Sequence, residues 1–255
     1  MTILEGIVLG LVQGLTEFLP ISSSGHLVLV PHILGWKIPS VTFDVFVHLG
    51  TLTAVISYFW LDLRDLFRSS RRIIGLIIVA TVPAALFGYF FEGFFENLFG
   101  KPMVVSFLLL ITGLVLWSTE GLTLPRRKMG EIGLTDSLII GFAQAVAIAP
   151  GISRSGMTIA AGMIKGFDRE SAARFSFLMS IPVIILAAIF EKIRDGAFDY
   201  SDFNLGLVLG FAAAAISGYF SIKYLLKYLK QGNLKIFAYY CWIFGGFTLV
   251  LSYFK

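Results

Sequence analysis

Residues 10–25 read GLVQGLTEFLPISSSG, and residues 141–156, which read GFAQAVAIAPGISRSG, align with them without a gap. The identical pairs are Gly10/Gly141, Gln13/Gln144, Ile21/Ile152, Ser22/Ser153, Ser24/Ser155 and Gly25/Gly156. Self-similarity of this kind indicates an internal repeat. Both copies carry proline, glycine and serine inside an otherwise apolar segment, a pattern that predicts a broken helix.

The composition indicates an integral membrane protein. Hydrophobic residues make up 57% of the chain, charged residues make up 14%, and the mean hydropathy is +0.85. Soluble domains carry about 25% charged residues. The single cysteine, Cys241, excludes an internal disulfide and a cysteine-based metal cluster. The net charge of +4 does not require a nucleic-acid partner, because basic residues also set membrane orientation.

Six apolar stretches approach the length of about 20 residues that a helix needs to cross a bilayer. They are Val45–Leu61, Ile73–Phe91, Pro102–Thr119, Phe175–Phe190, Phe203–Ile222 and Ile236–Phe254. Gly6–Trp36 and Ser137–Ile164 are also apolar but are interrupted by polar residues and prolines. Such breaks are tolerated at membrane depth only inside protein or beside water. We therefore predict two re-entrant helix pairs that turn back near the midplane.

Loop charges predict the orientation of these segments. Basic residues concentrate in segments 62–72, 120–131 and 223–235, whereas the loops between them are acidic or balanced. Basic loops stay cytoplasmic, so we expect both termini outside. One re-entrant pair and three spans then form each half, residues 1–120 and residues 121–255, with the seam near Pro125-Arg126-Arg127. Because three spans are an odd number, the second half is expected to be inverted. The predicted fold is an all-α polytopic membrane protein with an inverted repeat.

Ionisable groups inside a membrane are costly, and they point to function. Gln13 and Glu17 are four residues apart and share a helix face. Ser22 and Ser153 each precede an apolar run, which is typical of a helix N-cap. Two helix N-termini would then point at one place and offer N–H groups to an anion. Arg154 adds a forked donor that matches phosphate oxygens. These residues predict an anion site at the repeat interface.

Simpler interpretations of the same residues stay open. Glu17 could be the structural partner of Arg154, because a buried charge needs a partner whatever its function. His26 could be a packed residue, although its place four residues after Ser22 favours a role in the site. Asp44 is spaced to pair with His48 on one helix face. Structural or interfacial roles are expected for His32, His48 and Arg174.

Two long motifs in these segments resemble those of a known family. Residues 13–26 (QGLTEFLPISSSGH) and 150–158 (PGISRSGMT) look like the signature motifs of the undecaprenyl pyrophosphate phosphatases, also known as bacitracin-resistance proteins. The resemblance runs along the whole chain and includes residues 166–177 (GFDRESAARFSF). The family pattern has Glu or Gln, three residues and then Glu, and this chain has Gln13 at the first place.

The resemblance implies an integral-membrane phosphatase that hydrolyses undecaprenyl (polyprenyl) pyrophosphate to the monophosphate and inorganic phosphate. It would act at the outer face of the plasma membrane, recycle the lipid carrier for peptidoglycan synthesis and confer bacitracin resistance. A divalent cation, Mg²⁺ or Ca²⁺, would be bound by Glu17 and Gln13. The catalytic residues would be Glu17, Ser23, His26 and Arg154. The substrate-binding residues would be Gln13, Ser22, Ser24, Gly25, Gly151, Ser153, Ser155, Gly156 and Thr158.

Two questions remain open at the level of sequence. The nucleophile is either Ser23 activated by Glu17, or His26, which could also serve as a base. The alternative function is that of a transporter or flippase for an anionic lipid, because inverted repeats with broken helices also serve secondary transport. A transporter needs anion donors only, whereas a phosphatase also needs a nucleophile and a base. A homodimer is compatible with either function.

Overall fold

The computed structural model describes residues 1–121, 127–195 and 203–254 of the chain. Of the seam expected near Pro125-Arg126-Arg127, Pro125 and Arg126 lie outside these residues. In the acidic loop between two basic segments, Asp199 and Asp202 lie outside them as well. The division of the chain at residue 120 therefore stays a prediction.

Within the described ranges the chain forms twelve α-helices and one short 3-10 helix, Met129–Glu131. The α-helices are α1 (Ile3–Phe18), α2 (Ser23–Leu34), α3 (Val41–Tyr58), α4 (Trp60–Ser69), α5 (Arg71–Phe90), α6 (Glu92–Phe99), α7 (Pro102–Thr119), α8 (Leu134–Val146), α9 (Arg154–Ile164), α10 (Arg169–Asp195), α11 (Leu205–Leu229) and α12 (Lys235–Phe254). The described residues contain no β-strand, and one isolated bridge joins Arg127 to Phe167.

Six of these helices are long and apolar enough to cross a membrane, namely α3, α5, α7, α10, α11 and α12. They match the six spans predicted from the sequence. Their outer faces carry large apolar side chains such as Ile243 and Phe247, which are 74% and 57% exposed. Exposed apolar surface of this extent needs lipid around it. The chain is therefore an all-α, multi-pass membrane protein.

The first half contains two short helices that we did not predict. Segment 62–72 was expected to be a loop, and the span before it was expected to reach Leu61. Instead α3 ends at Tyr58, and α4 occupies Trp60–Ser69. The four arginines of that segment indicated a basic loop. However, the apolar Trp60, Leu63 and Phe67 recur at helical spacing, which is typical of a helix lying along an interface. Helix α6 similarly replaces an expected loop.

The broken helices pack against the second long span of the opposite half. Helix α1 lies against α11 so closely that a Cβ added at Gly10 would be 2.2 Å from the Gly210 carbonyl oxygen. Helix α8 lies against α5, where a Cβ added at Gly141 would be 2.5 Å from the Ala80 carbonyl oxygen. Glycine at both places lets the backbones touch, as small residues do in membrane helix packing. The close contact fixes where the ends of α1 and α8 lie relative to α11 and α5.

Candidate active site

Both broken segments turn through a serine-capped helix start, as predicted. Ser22 is the N-cap of α2, where its hydroxyl accepts a hydrogen bond from the Gly25 N–H at 3.2 Å. Ser153 is the N-cap of α9 and accepts from the Gly156 N–H at 3.1 Å. A serine oxygen satisfies one of the N–H groups that a helix start leaves without a partner. The remaining N–H groups of the first turn are available to an anion.

The two turns touch each other, so the aligned segments meet in space. The Ser22 hydroxyl donates to the Ile152 carbonyl oxygen at 3.3 Å and accepts from the Gly151 N–H at 3.2 Å. In the opposite direction, the Ser155 hydroxyl donates to the Leu19 carbonyl oxygen at 3.0 Å. These reciprocal bonds fix the turns relative to one another, and they place α2 and α9 on either side of one site.

Glu17 is the centre of the polar network between the turns. Its side chain is buried, and its Oε2 accepts from the Ser23 hydroxyl at 2.5 Å and from the Gln13 amide at 3.0 Å. Its Oε1 accepts from Arg154 Nη2 at 2.5 Å. The spacing of Gln13 and Glu17 along α1 makes their contact a local one. The other two contacts depend on how the turns meet.

Arg154 connects the second turn to Glu17 across the site. Its Nη2 forms the ion pair with Glu17, and its Nη1 donates to the Ser176 carbonyl oxygen of α10 at 3.2 Å. The interpretation of Glu17 as a partner of Arg154 is therefore correct as geometry. A guanidinium has five N–H donors, so these two bonds leave donors for a phosphate. The two interpretations of Arg154, structural and functional, are compatible.

His26 lies one turn further along α2 than Ser23, and both of its ring nitrogens have partners other than Glu17. Its Nδ1 lies 2.7 Å from the Ser22 carbonyl oxygen, and its Nε2 lies 2.8 Å from the Tyr240 hydroxyl of α12. Its ring stacks on Phe244, with centroids 4.8 Å apart. The expectation that Glu17 could reach either candidate nucleophile holds for Ser23 and not for His26.

Most of the other expected binding residues have side chains that contact other protein groups. Thr158 bonds to the Arg154 carbonyl oxygen at 2.8 Å and to the Ser176 hydroxyl at 2.6 Å. Ser24 is 3.4 Å from the Ser22 hydroxyl, and the Ser153 and Ser155 hydroxyls are 3.2 Å apart. Gly25 faces Gly151, whose Cα would be 3.1 Å from an added Cβ. These residues shape the turns, and backbone N–H groups and Arg154 remain to face a ligand.

His48 makes a contact with Glu17 that the sequence did not predict. Its Nε2 lies 3.8 Å from Glu17 Oε2, and its Nδ1 lies 2.8 Å from the Asp44 carbonyl oxygen and 3.6 Å from the Asp44 carboxylate. The pairing with Asp44 was predicted, but the contact with Glu17 was not. It arises because α1 and α3 pack together, which the sequence does not state. An ionisable residue inside an apolar span was the available signal.

Other partners of the site were also not foreseen. Thr112 of α7 donates to the Gly151 carbonyl oxygen at 2.9 Å and accepts from the Ser153 N–H at 3.1 Å, so it supports the second turn. Arg174, by contrast, lies outside the site as expected. It forms an ion pair with Asp62 and lies over the Phe59 ring at 5.2 Å.

The side-chain oxygens of Glu17 and Gln13 provide only part of the ligand set that a hard divalent cation needs. Gln13 Oε1 is buried and has no hydrogen-bond partner, and it belongs to the amide that contacts Glu17. An amide oxygen beside a carboxylate is the type of ligand that Mg²⁺ and Ca²⁺ take. Within the described residues, however, no three His, Cys, Asp or Glu side chains converge as a metal site. A cation would therefore take further ligands from phosphate oxygens and water, as Mg²⁺ usually does.

Comparison with known proteins identifies the family. The family described as Bacitracin resistance protein BacA matches residues 6–247. The chain belongs to this family. Among its relatives, a protein of Halothermothrix orenii named undecaprenyl-diphosphatase is 46% identical, and the match covers 99% of each chain. A protein of Moorella thermoacetica with the same name is 45% identical over 94% of each chain. One of Pelotomaculum thermopropionicum is 42% identical over 99% of this chain and 97% of its own.

Proposed function

We propose that this protein hydrolyses undecaprenyl pyrophosphate within the membrane and releases undecaprenyl phosphate and inorganic phosphate. One observation carries the chemistry: the Ser23 hydroxyl donates to Glu17 at 2.5 Å, directly beside the N-terminus of α2. A hydroxyl paired with a carboxylate is an activated nucleophile, and the adjacent helix start binds the group that it would attack. The relatives named undecaprenyl-diphosphatase supply the substrate.

The reaction proceeds in two steps on this geometry. Glu17 accepts the proton of Ser23 while Ser23 Oγ attacks the terminal phosphorus. The bond from phosphorus to the bridging oxygen breaks, and the lipid monophosphate leaves. Water then attacks the phosphorus of the phosphoserine, and the bond from phosphorus to Ser23 Oγ breaks. Glu17 returns its proton to Oγ, and inorganic phosphate leaves with both protons of the water. Each step needs charge stabilisation more than covalent help, as phosphoryl transfer generally does.

Arg154 and the two helix starts supply that stabilisation. The phosphates would lie beside Ser23. There they would accept hydrogen bonds from the free N–H groups at the starts of α2 and α9 and from the remaining donors of Arg154. Donors that are already held in place stabilise developing charge without reorganising. Here the Glu17 and Ser176 contacts hold Arg154. When a divalent cation is bound, Glu17 and Gln13 would hold it, and it would supply neutralising charge to the phosphates.

His26 has less support as the nucleophile. Both of its ring nitrogens are engaged, one by a carbonyl oxygen and the other by the Tyr240 hydroxyl. Neither nitrogen bonds to Glu17. Ser23, in contrast, already has a base.

We further propose that the two halves form an inverted repeat that opens to the outer face of the plasma membrane. Helix α1 packs on α11 while α8 packs on α5, so each broken segment uses the equivalent span of the other half. That exchange is what a two-fold relation between the halves would produce, and the three spans of each half, an odd number, would make the second half inverted. An outward site would serve recycling of the lipid carrier for cell-wall synthesis, and bacitracin resistance would follow from it.

Phosphate release by the purified protein tests the function. Protein in lipid nanodiscs is given undecaprenyl pyrophosphate, with Mg²⁺, with Ca²⁺ or with chelator, and free phosphate and the lipid product are measured together. One phosphate per lipid monophosphate is expected, and a Glu17→Gln variant should lose the reaction. The variant should also melt at a lower temperature than the wild type, because Arg154 then has no ion-pair partner. Intact substrate after long incubation under every condition would favour the transporter or flippase alternative, which needs the anion donors but not the Ser23–Glu17 pair.

A further inference from the structure

The turn before α2 contains a strained residue next to Ser23. Ser22 has φ 68° and ψ 94°, and it is the one described non-glycine residue with positive φ. Side-chain-bearing residues rarely adopt this conformation, and it persists only where the surroundings hold it. Because Ser22 directly precedes Ser23, its backbone sets the direction in which the Ser23 hydroxyl leaves the helix. What holds Ser22 therefore also holds the Ser23–Glu17 contact.

The Ser22 carbonyl oxygen accepts two hydrogen bonds from one residue. The backbone N–H of His26 donates at 3.1 Å, and the His26 ring nitrogen Nδ1 lies at 2.7 Å. A carbonyl can only accept, so Nδ1 must carry the proton in this contact. In the neutral ring Nε2 is then an acceptor, and the Tyr240 hydroxyl at 2.8 Å is placed to donate to it. The hydroxyl thus selects the tautomer that bonds to Ser22.

Stacking reinforces this arrangement from α12. The His26 ring lies nearly parallel to Phe244, at 6°, and to Tyr240, at 13°. The His26 side chain is buried, at 3% exposure, so its ring cannot turn without disturbing both neighbours. Helix α12 therefore reaches Ser22 through the His26 imidazole, beside a direct contact of Cys241 Sγ with the Pro20 carbonyl oxygen at 4.0 Å.

We propose that Tyr240 is a positioning residue for the phosphatase reaction. Its hydroxyl fixes the His26 tautomer, His26 fixes the Ser22 carbonyl, and Ser22 directs the Ser23 hydroxyl at Glu17. The inference rests on the proposed function and adds a residue of the last span to it. It gives His26 the task of holding the turn, and it leaves nucleophilic attack to Ser23.

The substitution Tyr240→Phe tests the proposal, because it removes the hydroxyl and keeps the stacked ring. We expect kcat to fall about tenfold, as for one lost hydrogen bond, with KM nearly unchanged because the contacts to phosphate and lipid remain. The matched control is Tyr239→Phe, whose ring packs on Trp242 at 5.9 Å. The control should keep the wild-type rate. An unchanged kcat in Tyr240→Phe would overturn the proposal.

A double-mutant cycle then asks whether Tyr240 acts through His26. In a His26→Phe background, which keeps the stacking, Tyr240→Phe should cause no additional loss. Losses that multiply would show independent roles and would also overturn the proposal.

Imidazole ¹⁵N chemical shifts provide a readout that does not depend on turnover. In wild-type protein without substrate, His26 should show the Nδ1–H tautomer, and Tyr240→Phe should shift the population towards Nε2–H. An Nε2–H ring in the wild type would refute the inference. If the wild type instead shows the expected tautomer but releases no phosphate, the proposed function fails and the hydrogen-bonded arrangement stands.

Discussion

Replacing Arg154 by lysine keeps the positive charge of the side chain and removes the planar, forked guanidinium. In the structure, one guanidinium nitrogen bonds to Glu17 Oε1 at 2.5 Å and the other bonds to the Ser176 carbonyl oxygen at 3.2 Å. Lysine has a single nitrogen, so it can keep the ion pair with Glu17 only by giving up the bond to α10 and the forked face toward phosphate. We therefore expect Arg154→Lys to fold but to catalyse poorly.

The size of the effect follows from the lost contact. A charge-assisted hydrogen bond to the transferring phosphoryl group is worth about 3 kcal/mol in the transition state, which corresponds to about a hundredfold in kcat/KM. The retained ion pair should keep the loss of stability small in comparison. Steady-state phosphate release in nanodiscs measures the first quantity, and thermal unfolding of the same preparation measures the second.

A second arginine of the chain provides a matched control. Arg174 also pairs with a carboxylate, that of Asp62, but it lies outside the site. Arg174→Lys should keep the rate within about threefold, as is usual for a partly exposed ion pair. If Arg154→Lys is equally active, Arg154 only balances the charge of Glu17, and the assignment of phosphate binding to it is wrong.

Three other outcomes are expected. Ser23→Ala should reduce turnover at least about a thousandfold, and quenched wild-type enzyme should carry an acid-stable, base-labile phosphate that the variant lacks. Burial raises the pKa of Glu120, but its hydrogen bonds from Arg169 and the Leu234 N–H outweigh this and leave the pKa lowered. The stability that the pair contributes is thus present above the ordinary pKa of 4.5 and is lost as pH falls through the lower folded value, so acid should lower the melting temperature of the wild type more than that of Glu120→Gln. Finally, in a Cys241→Ala background, a cysteine at position 96 should react with an impermeant thiol reagent outside intact cells and one at position 68 should not, and the reverse pattern would contradict the proposed orientation.

The sequence predicted those parts of the molecule that depend on local chemistry. The six spans follow from runs of apolar residues, and the caps at Ser22 and Ser153 follow from serine before an apolar run. The alignment of the two broken segments correctly predicted that the turns meet. The pairing of Glu17 with Arg154 was one of the interpretations left open, because a buried charge needs a partner whatever its function.

The parts that the sequence did not predict depend on how helices pack. His48 reaches Glu17 only because α3 lies beside α1, and Tyr240 reaches His26 only because α12 lies beside α2. An aromatic residue near the end of a span ordinarily lies at the membrane–water interface. The position of Tyr240 in the sequence therefore did not indicate a role in the site. Helix α4 was not predicted because the arginines of segment 62–72 indicated a polar loop, although apolar residues recur there at helical spacing.

The two aligned segments differ at the positions to which we assign the chemistry, so the proposed reaction centre is a single one. The caps are the same in both, but Ile148 stands where the first segment has Glu17, and Ser23 stands where the second has Arg154. A second glutamate at position 148 would add another charge to an apolar segment, where it would need its own partner. Instead, Glu17 and Ser23 come from the first broken segment, and the Arg154 guanidinium comes from the second. Glu17 contacts both Ser23 and Arg154 at 2.5 Å. Neither half holds a complete site, so folding of both halves and contact between their turns are conditions for catalysis.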